Sequence, residues 1–361
     1  MVDLLIISDD FTGALDTGVQ FAQKGIGTKV LNEFRGELLH RHQECAVLVV
    51  NTDTRKLSGP EAYEKVRRVT EAAVRGGIPY IFKKTDSALR GNIGSELKAV
   101  LDASRERTLV FAPAFPKMKR ITKGGIQYFE EKPIHLTEFG RDLYEPVQES
   151  RVSSIIREQY DGCIIEKKAG MELPDEGGRA EKTIIVYDAA TDEELEAVAR
   201  QIMERKTALM AGCAGLAGAV SKLVLFQSRP CSCRRRFFPL LVICGSVFPV
   251  TRRQICYAQR HGFERFSLKS RERTRKGLVQ TEEGSCLLSK IKETLRTDAP
   301  VIIDTMGEGA EEEKNRNKEE KARLRQIIAD NLGDIINRLV EAGVQRTIMV
   351  IGGDTLKSVI E

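Results

Sequence analysis

The residues best suited to chemistry collect where short apolar runs end. Leu4–Ser8 is followed at once by Asp9 and Asp10, then by Phe11-Thr12-Gly13-Ala14-Leu15-Asp16, which reads as the opening of a helix. Adjacent carboxylates repel unless a cation or a positive ligand partner attends them. Asp and Thr also cap helices well, so an N-cap beside a surface acid is the plain alternative. One cap needs one acid, whereas Asp9, Asp10 and Asp16 lie close together.

The ends of the next runs carry complementary groups. Asn51-Thr52-Asp53-Thr54-Arg55 holds a capping turn or, through Arg55, a planar fork suited to a carboxylate. Lys83-Lys84-Thr85-Asp86-Ser87-Ala88-Leu89-Arg90 is hard to explain as packing, because paired lysines repel unless an anion balances them. That combination suits an anionic, hydroxylated substrate, with Asp86 placed to accept a hydroxyl proton. Asp9, Asp10 and Asp16 are the alternatives, as base or as water-mediated ligands of Mg2+. Lys83, Lys84 and Arg90 are expected to hold a carboxylate or the moving phosphoryl group. Pro113-Ala114-Phe115-Pro116 then precedes Lys117, Lys119, Arg120, Thr122 and Gly124-Gly125, read as a stiffened loop showing basic groups to the same pocket.

Glycine takes over in the second half. Cys244-Gly245-Ser246 and Ile351-Gly352-Gly353-Asp354-Thr355 each end an apolar run, and the latter opens a helix. Such turns let backbone N–H groups approach phosphate oxygens. Neither is a Walker A or a GxGxxG motif, which argues against a dehydrogenase. Gly212-Cys213-Ala214-Gly215 is either an anion approach or close helix–strand packing.

The elements that must position these groups follow an α/β rhythm. Apolar runs recur at Leu4–Ser8, Ala46–Val50, Pro79–Lys83, Thr108–Ala112, Thr183–Tyr187, Ala208–Ala211, Leu240–Cys244, Val301–Asp304 and Thr347–Ile351. Helical patterns lie between many of them, such as Gly59–Arg75 and Asp192–Arg205. In the latter, Leu195, Val198, Ala199 and Ile202 share one face. This predicts parallel strands buried on both faces, with ligands beyond their carboxyl ends. Lys167–Arg179 reads as a loop of the first domain and Gln227–Pro239 as the domain boundary. Glu308–Arg325 carries six acidic and six basic residues and reads as a solvated helix face.

Composition bounds the rest. With 361 residues the chain can form two domains without disulfide or metal support. A net charge of +5, with one tight basic cluster at Arg234-Arg235-Arg236, argues against a nucleic-acid partner. No long apolar run suggests a membrane span, and the acidic start is unlike a signal peptide, so a cytoplasmic location is expected. The eight cysteines form no CxxC pair, and Cys231-Ser232-Cys233 has no companion, so free buried thiols and no metal site are expected.

In this order the segments SDDFTGALDTG (8–18), NTDTR (51–55), KKTDSALRGNIGSEL (83–97), APAFP (112–116), GCAGLAGA (212–219), CGSVFPVTRRQI (244–255) and GGDT (352–355) resemble the four-carbon acid sugar kinase family, which covers D-threonate, D-erythronate and 3-oxo-tetronate kinases. The resemblance implies two α/β domains, a sugar-acid-binding domain over 1–230 and a nucleotide-binding domain over 238–361, with the ligand site in the cleft between them. It implies transfer of a phosphoryl group from ATP, with Mg2+, to a hydroxyl of the acid, and leaves room for a homo-oligomer. Asp9, Asp10, Arg55, Lys83, Lys84, Thr85, Asp86, Ser87 and Arg90 would meet the acid, with Asp86 and Asp10 as the catalytic pair. Gly245, Ser246, Gly352, Gly353, Asp354 and Thr355 would meet ATP. The family usually has Ser where Cys213 stands, and its pattern runs on beyond the six residues that follow Thr355 here. On that ground this chain is expected to bind a sugar acid but to bind ATP weakly and turn over poorly. The alternative reading is a catalytically impaired or non-catalytic sugar-acid-binding protein.

Overall fold

The computed structural model of the chain describes all residues except 1, 35, 37–41, 43, 142–145, 174–180, 225, 227–238, 248, 308–317 and 361. The basic cluster Arg234-Arg235-Arg236, the pair Cys231 and Cys233, most of the expected boundary segment and the first part of Glu308–Arg325 lie outside the described residues. The chain divides into two compact units, Met1–Ser232 and Cys233–Glu361.

Among the described residues the first unit holds eleven strands: β1 (Leu4–Ser8), β2 (Thr28–Leu31), β3 (Val47–Asn51), β4 (Tyr80–Lys84), β5 (Thr108–Ala112), β6 (Arg120–Lys123), β7 (Ile126–Phe129), β8 (Lys132–Pro133), β9 (Cys163–Lys167), β10 (Thr183–Tyr187) and β11 (Leu209–Gly212). Eight form one sheet in the order β2-β3-β1-β4-β11-β5-β10-β9, and every pairing is parallel. Its central strands are apolar because helices cover both faces, and β1, β3, β5 and β10 are buried throughout. The helix Gly59–Arg75 starts where Glu61 accepts from the Ser58 amide at 3.1 Å and Pro60 occupies its first turn. The helix Asp192–Glu204 is capped by Thr191, which accepts from the Glu194 amide at 3.2 Å, and it buries the four residues its spacing predicted.

Three edge strands escape an apolar-run reading because polar residues break their apolar runs. β2, β9 and, in the second unit, β13 (Glu264–Ser267) are only half-buried and interleave Lys, Glu, Arg or Thr with apolar residues. A second correction concerns the segment after β5. It is an antiparallel hairpin of β6, β7 and β8 rather than a basic loop. Gly124 and Gly125 both have positive φ (61° and 75°), as a tight hairpin turn requires, and their amides donate to Asp188 at 2.7 and 2.9 Å.

Among its described residues the second unit has four parallel strands, β12 (Leu240–Cys244), β13 (Glu264–Ser267), β14 (Val301–Asp304) and β15 (Thr347–Ile351), in the order β13-β14-β12-β15. β15 is an edge strand, with Ile348 and Met349 exposed. Lys318–Glu341 is a helix that packs Leu332, Ile335, Ile336 and Leu339 into the core of this unit. No described helix is long and apolar enough to cross a membrane. Cys45, Cys213 and Cys244 are buried as expected, but Cys256 and Cys286 are exposed.

Candidate active site

The first site forms where β1, β3 and β4 end side by side. Their registers align Ser8 with Asn51 and with Lys84, so the residues after each strand emerge at one edge. Asp10 caps the helix Phe11–Ala22, its Oδ1 accepting from the Gly13 amide at 3.0 Å. The Thr54 and Arg55 amides donate to the Asp9 carbonyl at 2.9 and 3.2 Å, which folds the Asn51–Arg55 turn over the end of β1.

Three carboxylates and three cations then interlock. Lys84 Nζ lies 2.8 Å from both Asp9 Oδ1 and Asp10 Oδ1. Arg55 spans Asp9 (Nε–Oδ2, 2.7 Å) and Asp10 (Nη2–Oδ1, 2.8 Å), and its Nη2 is 3.7 Å from Asp86 Oδ1. Arg90 grips both oxygens of Asp86, with Nε–Oδ2 at 2.8 Å and Nη2–Oδ1 at 3.1 Å. Asp9 and Lys84 are buried, while the Asp10 side chain keeps 24% of its surface exposed.

Burial opposes the charge on Asp9, but Lys84, Arg55 and Lys83 outweigh it and hold this carboxyl far below the usual range. Burial likewise acts against Asp86, and Arg55 with the Arg90 hydrogen bond brings it down to about 2. Burial would lower Lys84, yet Asp9 and Asp10 raise it. A depressed carboxylate stabilises the fold above its unfolded pKa and loses that contribution as pH falls through its folded value. The contribution of Asp86 should therefore be full above about pH 4 and lost by about pH 2, while that of Asp9 starts to fall in the same window and goes on falling below it. Melting followed by circular dichroism should show a steep loss of stability in that window, and Lys84→Met should flatten it.

Glycine makes room for Lys84. A Cβ on Gly13 would lie 1.8 Å from Lys84 Nζ and 2.5 Å from Asp10 Oδ1. Gly13→Ala should thus push the ammonium off both aspartates. Displacement of this kind costs on the order of 10²-fold in turnover, a loss that steady-state kinetics would detect.

Several expected residues are engaged within the protein. Lys83 is fully buried on the opposite face from Lys84, as alternation along a strand requires, and its ammonium lies 2.8 Å from Glu96 Oε2. In this structure the ammonium is thus engaged by Glu96 and by the Lys84 carbonyl at 2.6 Å. Asp86 has both oxygens engaged and is held at about 2, which suits a group that orients Arg90 and Arg55 better than a proton acceptor. The Arg55 fork is spent on Asp9 and Asp10. The Thr85 hydroxyl is buried without a hydrogen-bond partner, and the Ser87 carbonyl accepts from Gln127 Nε2 at 3.0 Å. Gly212 and Gly215 serve close packing: a Cβ on either would lie 2.5 Å from the carbonyl of Ala112 or Ala114. Lys119 pairs with Glu130 at 2.9 Å, both side chains exposed.

In the second unit, β12 and β15 are neighbours in register from Leu240 to Cys244. This brings Gly245-Ser246 beside the turn Gly352–Thr355, from which the helix Gly353–Ile360 departs. The Gly245 amide donates to the Ile351 carbonyl at 3.0 Å, and a Cβ there would lie 2.0 Å from Thr355 Oγ1. Gly352 has φ 123°, and its turn is exposed while Thr355 is buried. Exposed backbone at a helix start, lined by glycine and hydroxyls, is suited to an anion.

Two family models fit this division. Residues 4–220 match a sugar-binding N-terminal domain and residues 241–361 a nucleotide-binding C-terminal domain. The chain belongs to the four-carbon acid sugar kinase family. It is accordingly a carbohydrate kinase. A D-threonate kinase of Salmonella typhimurium is 29% identical over 99% of this chain and 85% of that protein. A D-erythronate kinase of Heliobacterium modesticaldum is 33% identical over 71% of this chain and 60% of that protein. A crystal structure of a domain of unknown function from Bordetella bronchiseptica, a domain-swapped dimer with bound citrate, is 25% identical, covers 99% of this chain and 85% of that one, and has a TM-score of 0.54.

Proposed function

We propose that this kinase transfers the terminal phosphoryl group of ATP to a hydroxyl of a four-carbon sugar acid of the threonate, erythronate or 3-oxo-tetronate class. The observation that carries this reading is the interlocked Asp9–Asp10–Lys84–Arg55 cluster at the carboxyl end of the sheet matched by the sugar-binding model.

Carboxylates fixed by cations are strong hydroxyl acceptors, and they recognise a polyol by counting and placing its O–H groups. Asp10 is the most exposed of the three, and its Oδ1 is held by Gly13, Lys84 and Arg55. Its Oδ2 carries no contact to a described residue and is free to accept the substrate hydroxyl. As the oxygen–phosphorus bond forms and the bond to the departing ADP oxygen breaks, the hydroxyl proton passes to Asp10 Oδ2. Thr85, Ser87 and Arg90 complete the acid site, and Asp9 keeps Lys84 and Arg55 in place. In the second unit, Gly245, Ser246 and Gly352–Thr355 receive the phosphates. The hard oxygens there, with Asp354 exposed, fit a Mg2+ ion that keeps water and phosphate ligands. When bound, that ion neutralises phosphate charge.

A kinetic panel of D-threonate, D-erythronate and 3-oxo-tetronate tests the substrate class. Gly245→Ala supplies the matching test of the nucleotide site. It should raise KM for ATP at least about 10-fold, since backbone can no longer approach the phosphates. The dissociation constant of the acid should stay unchanged, and loss of acid binding in this variant would count against separate sites. A cytoplasmic homodimer fits the reading, supported by the dimeric Bordetella relative, and sedimentation equilibrium would check the assembly.

A further inference from the structure

The cations of the acid site are already matched. Asp9, Asp10 and Asp86 face Arg55, Lys84 and Arg90, three charges against three. An anionic substrate entering this neutral cluster brings a carboxylate that none of these pairs balances. An additional cation beside the cluster would balance that charge.

Arg120 has the properties such a group needs. It opens β6, where its amide and carbonyl pair with Phe115 at 3.1 and 2.7 Å. Its guanidinium lies over the rings of Phe129 (5.3 Å) and Phe139 (5.2 Å), which stand edge to face 5.3 Å apart. It makes no ion pair with a described residue, and its Nε is buried with no hydrogen-bond partner. A buried, unsatisfied guanidinium nitrogen is costly, and two aromatic faces repay only part of that cost. Packing alone therefore leaves the residue unexplained.

Its surroundings belong to the acid site. Arg90 lies over the same Phe139 ring at 5.4 Å. Gln127, on the partner strand β7, accepts from Thr122 at 2.7 Å and donates to the Ser87 carbonyl, which ties the hairpin to the Lys83–Arg90 segment. Burial raises both Asp16 and Cys213, and among the smaller influences Lys84 and Arg120 act on each of them.

We infer that Arg120 is the residue that binds the carboxylate of the sugar acid, held in a two-phenylalanine clamp with its fork presented beside the hydroxyl-reading cluster. The inference rests on the proposed function and names the group by which that site separates an acid from a neutral polyol. Arg90 and Lys84, which the sequence suggested for this task, are occupied by aspartates.

Isothermal titration of wild type, Arg120→Gln and Arg120→Lys with D-threonate, D-erythronate and the neutral tetritols threitol and erythritol tests it. A charge-assisted pair of this kind should make acid binding about 10- to 100-fold weaker in Arg120→Gln. Arg120→Lys should restore only part of the loss, because an ammonium lacks the fork. Tetritol binding and KM for ATP should be the same in all three proteins. Equal acid affinity in wild type and Arg120→Gln overturns the role of Arg120 while leaving the proposed function standing. A parallel loss of acid and tetritol binding would make Arg120 a support of the hairpin and also overturn it. Failure of wild type to bind either acid overturns the proposed function and this inference together.

Discussion

Asp10→Asn should lower kcat by about 10² to 10⁴ while leaving KM for the acid within a few-fold of wild type. The substitution is nearly isosteric. Its remaining oxygen can still accept from the Gly13 amide, Lys84 and Arg55, and Asn caps a helix as well as Asp. What disappears is Oδ2, the oxygen proposed to take the hydroxyl proton, replaced by an amide that can only donate. Asp86→Asn makes the informative comparison. Asp86 is held at about 2 with both oxygens on Arg90, so its loss should disturb Arg90 and Arg55 and appear first in KM. A full set of steady-state constants separates the two variants. Near-normal kcat in Asp10→Asn with a collapse of kcat in Asp86→Asn would reverse the assignment.

Lys83→Met should destabilise the first unit by about 3–5 kcal/mol, because it strands the buried Glu96 carboxylate. The double variant Lys83→Met/Glu96→Leu should recover most of that loss, since replacing both partners with apolar groups of similar volume is often close to neutral. Denaturant unfolding of the four proteins of this cycle yields the coupling directly. Where the double variant folds, it should retain acid binding, because the Lys83 ammonium is paired with Glu96 rather than with an aspartate of the cluster. Acid binding lost in the refolded double variant would return Lys83 to the site.

The contrast between Lys83 and Lys84 shows how far the sequence is legible. The segment 83–90 stands out by charge alone, and the site does form there. The apolar run in the sequence ends at Lys83, whereas β4 ends at Lys84, and one residue of register decides which lysine meets the aspartates. Central strands such as β1, β5 and β10 match their apolar runs residue for residue, because burial on both faces leaves no other composition. The edge strands β2, β9 and β13 are half solvated, and so their sequences do not differ from loops. The hairpin carried a readable signal, Gly124-Gly125 between Arg120–Lys123 and Ile126–Phe129, that the flanking basic residues obscured. Arg120 could not be separated from Lys117 and Lys119 in sequence. Its distinction comes from Phe139, which only the fold brings against it.

The most direct test is phosphorus NMR of wild-type protein with ATP, Mg2+ and D-threonate or D-erythronate. The account predicts that the terminal phosphate resonance of ATP declines, ADP appears, and a new phosphomonoester resonance grows in step, only when the acid is present. ATP consumed without an acid-dependent phosphomonoester, or no ADP formed with any four-carbon sugar acid, would contradict it.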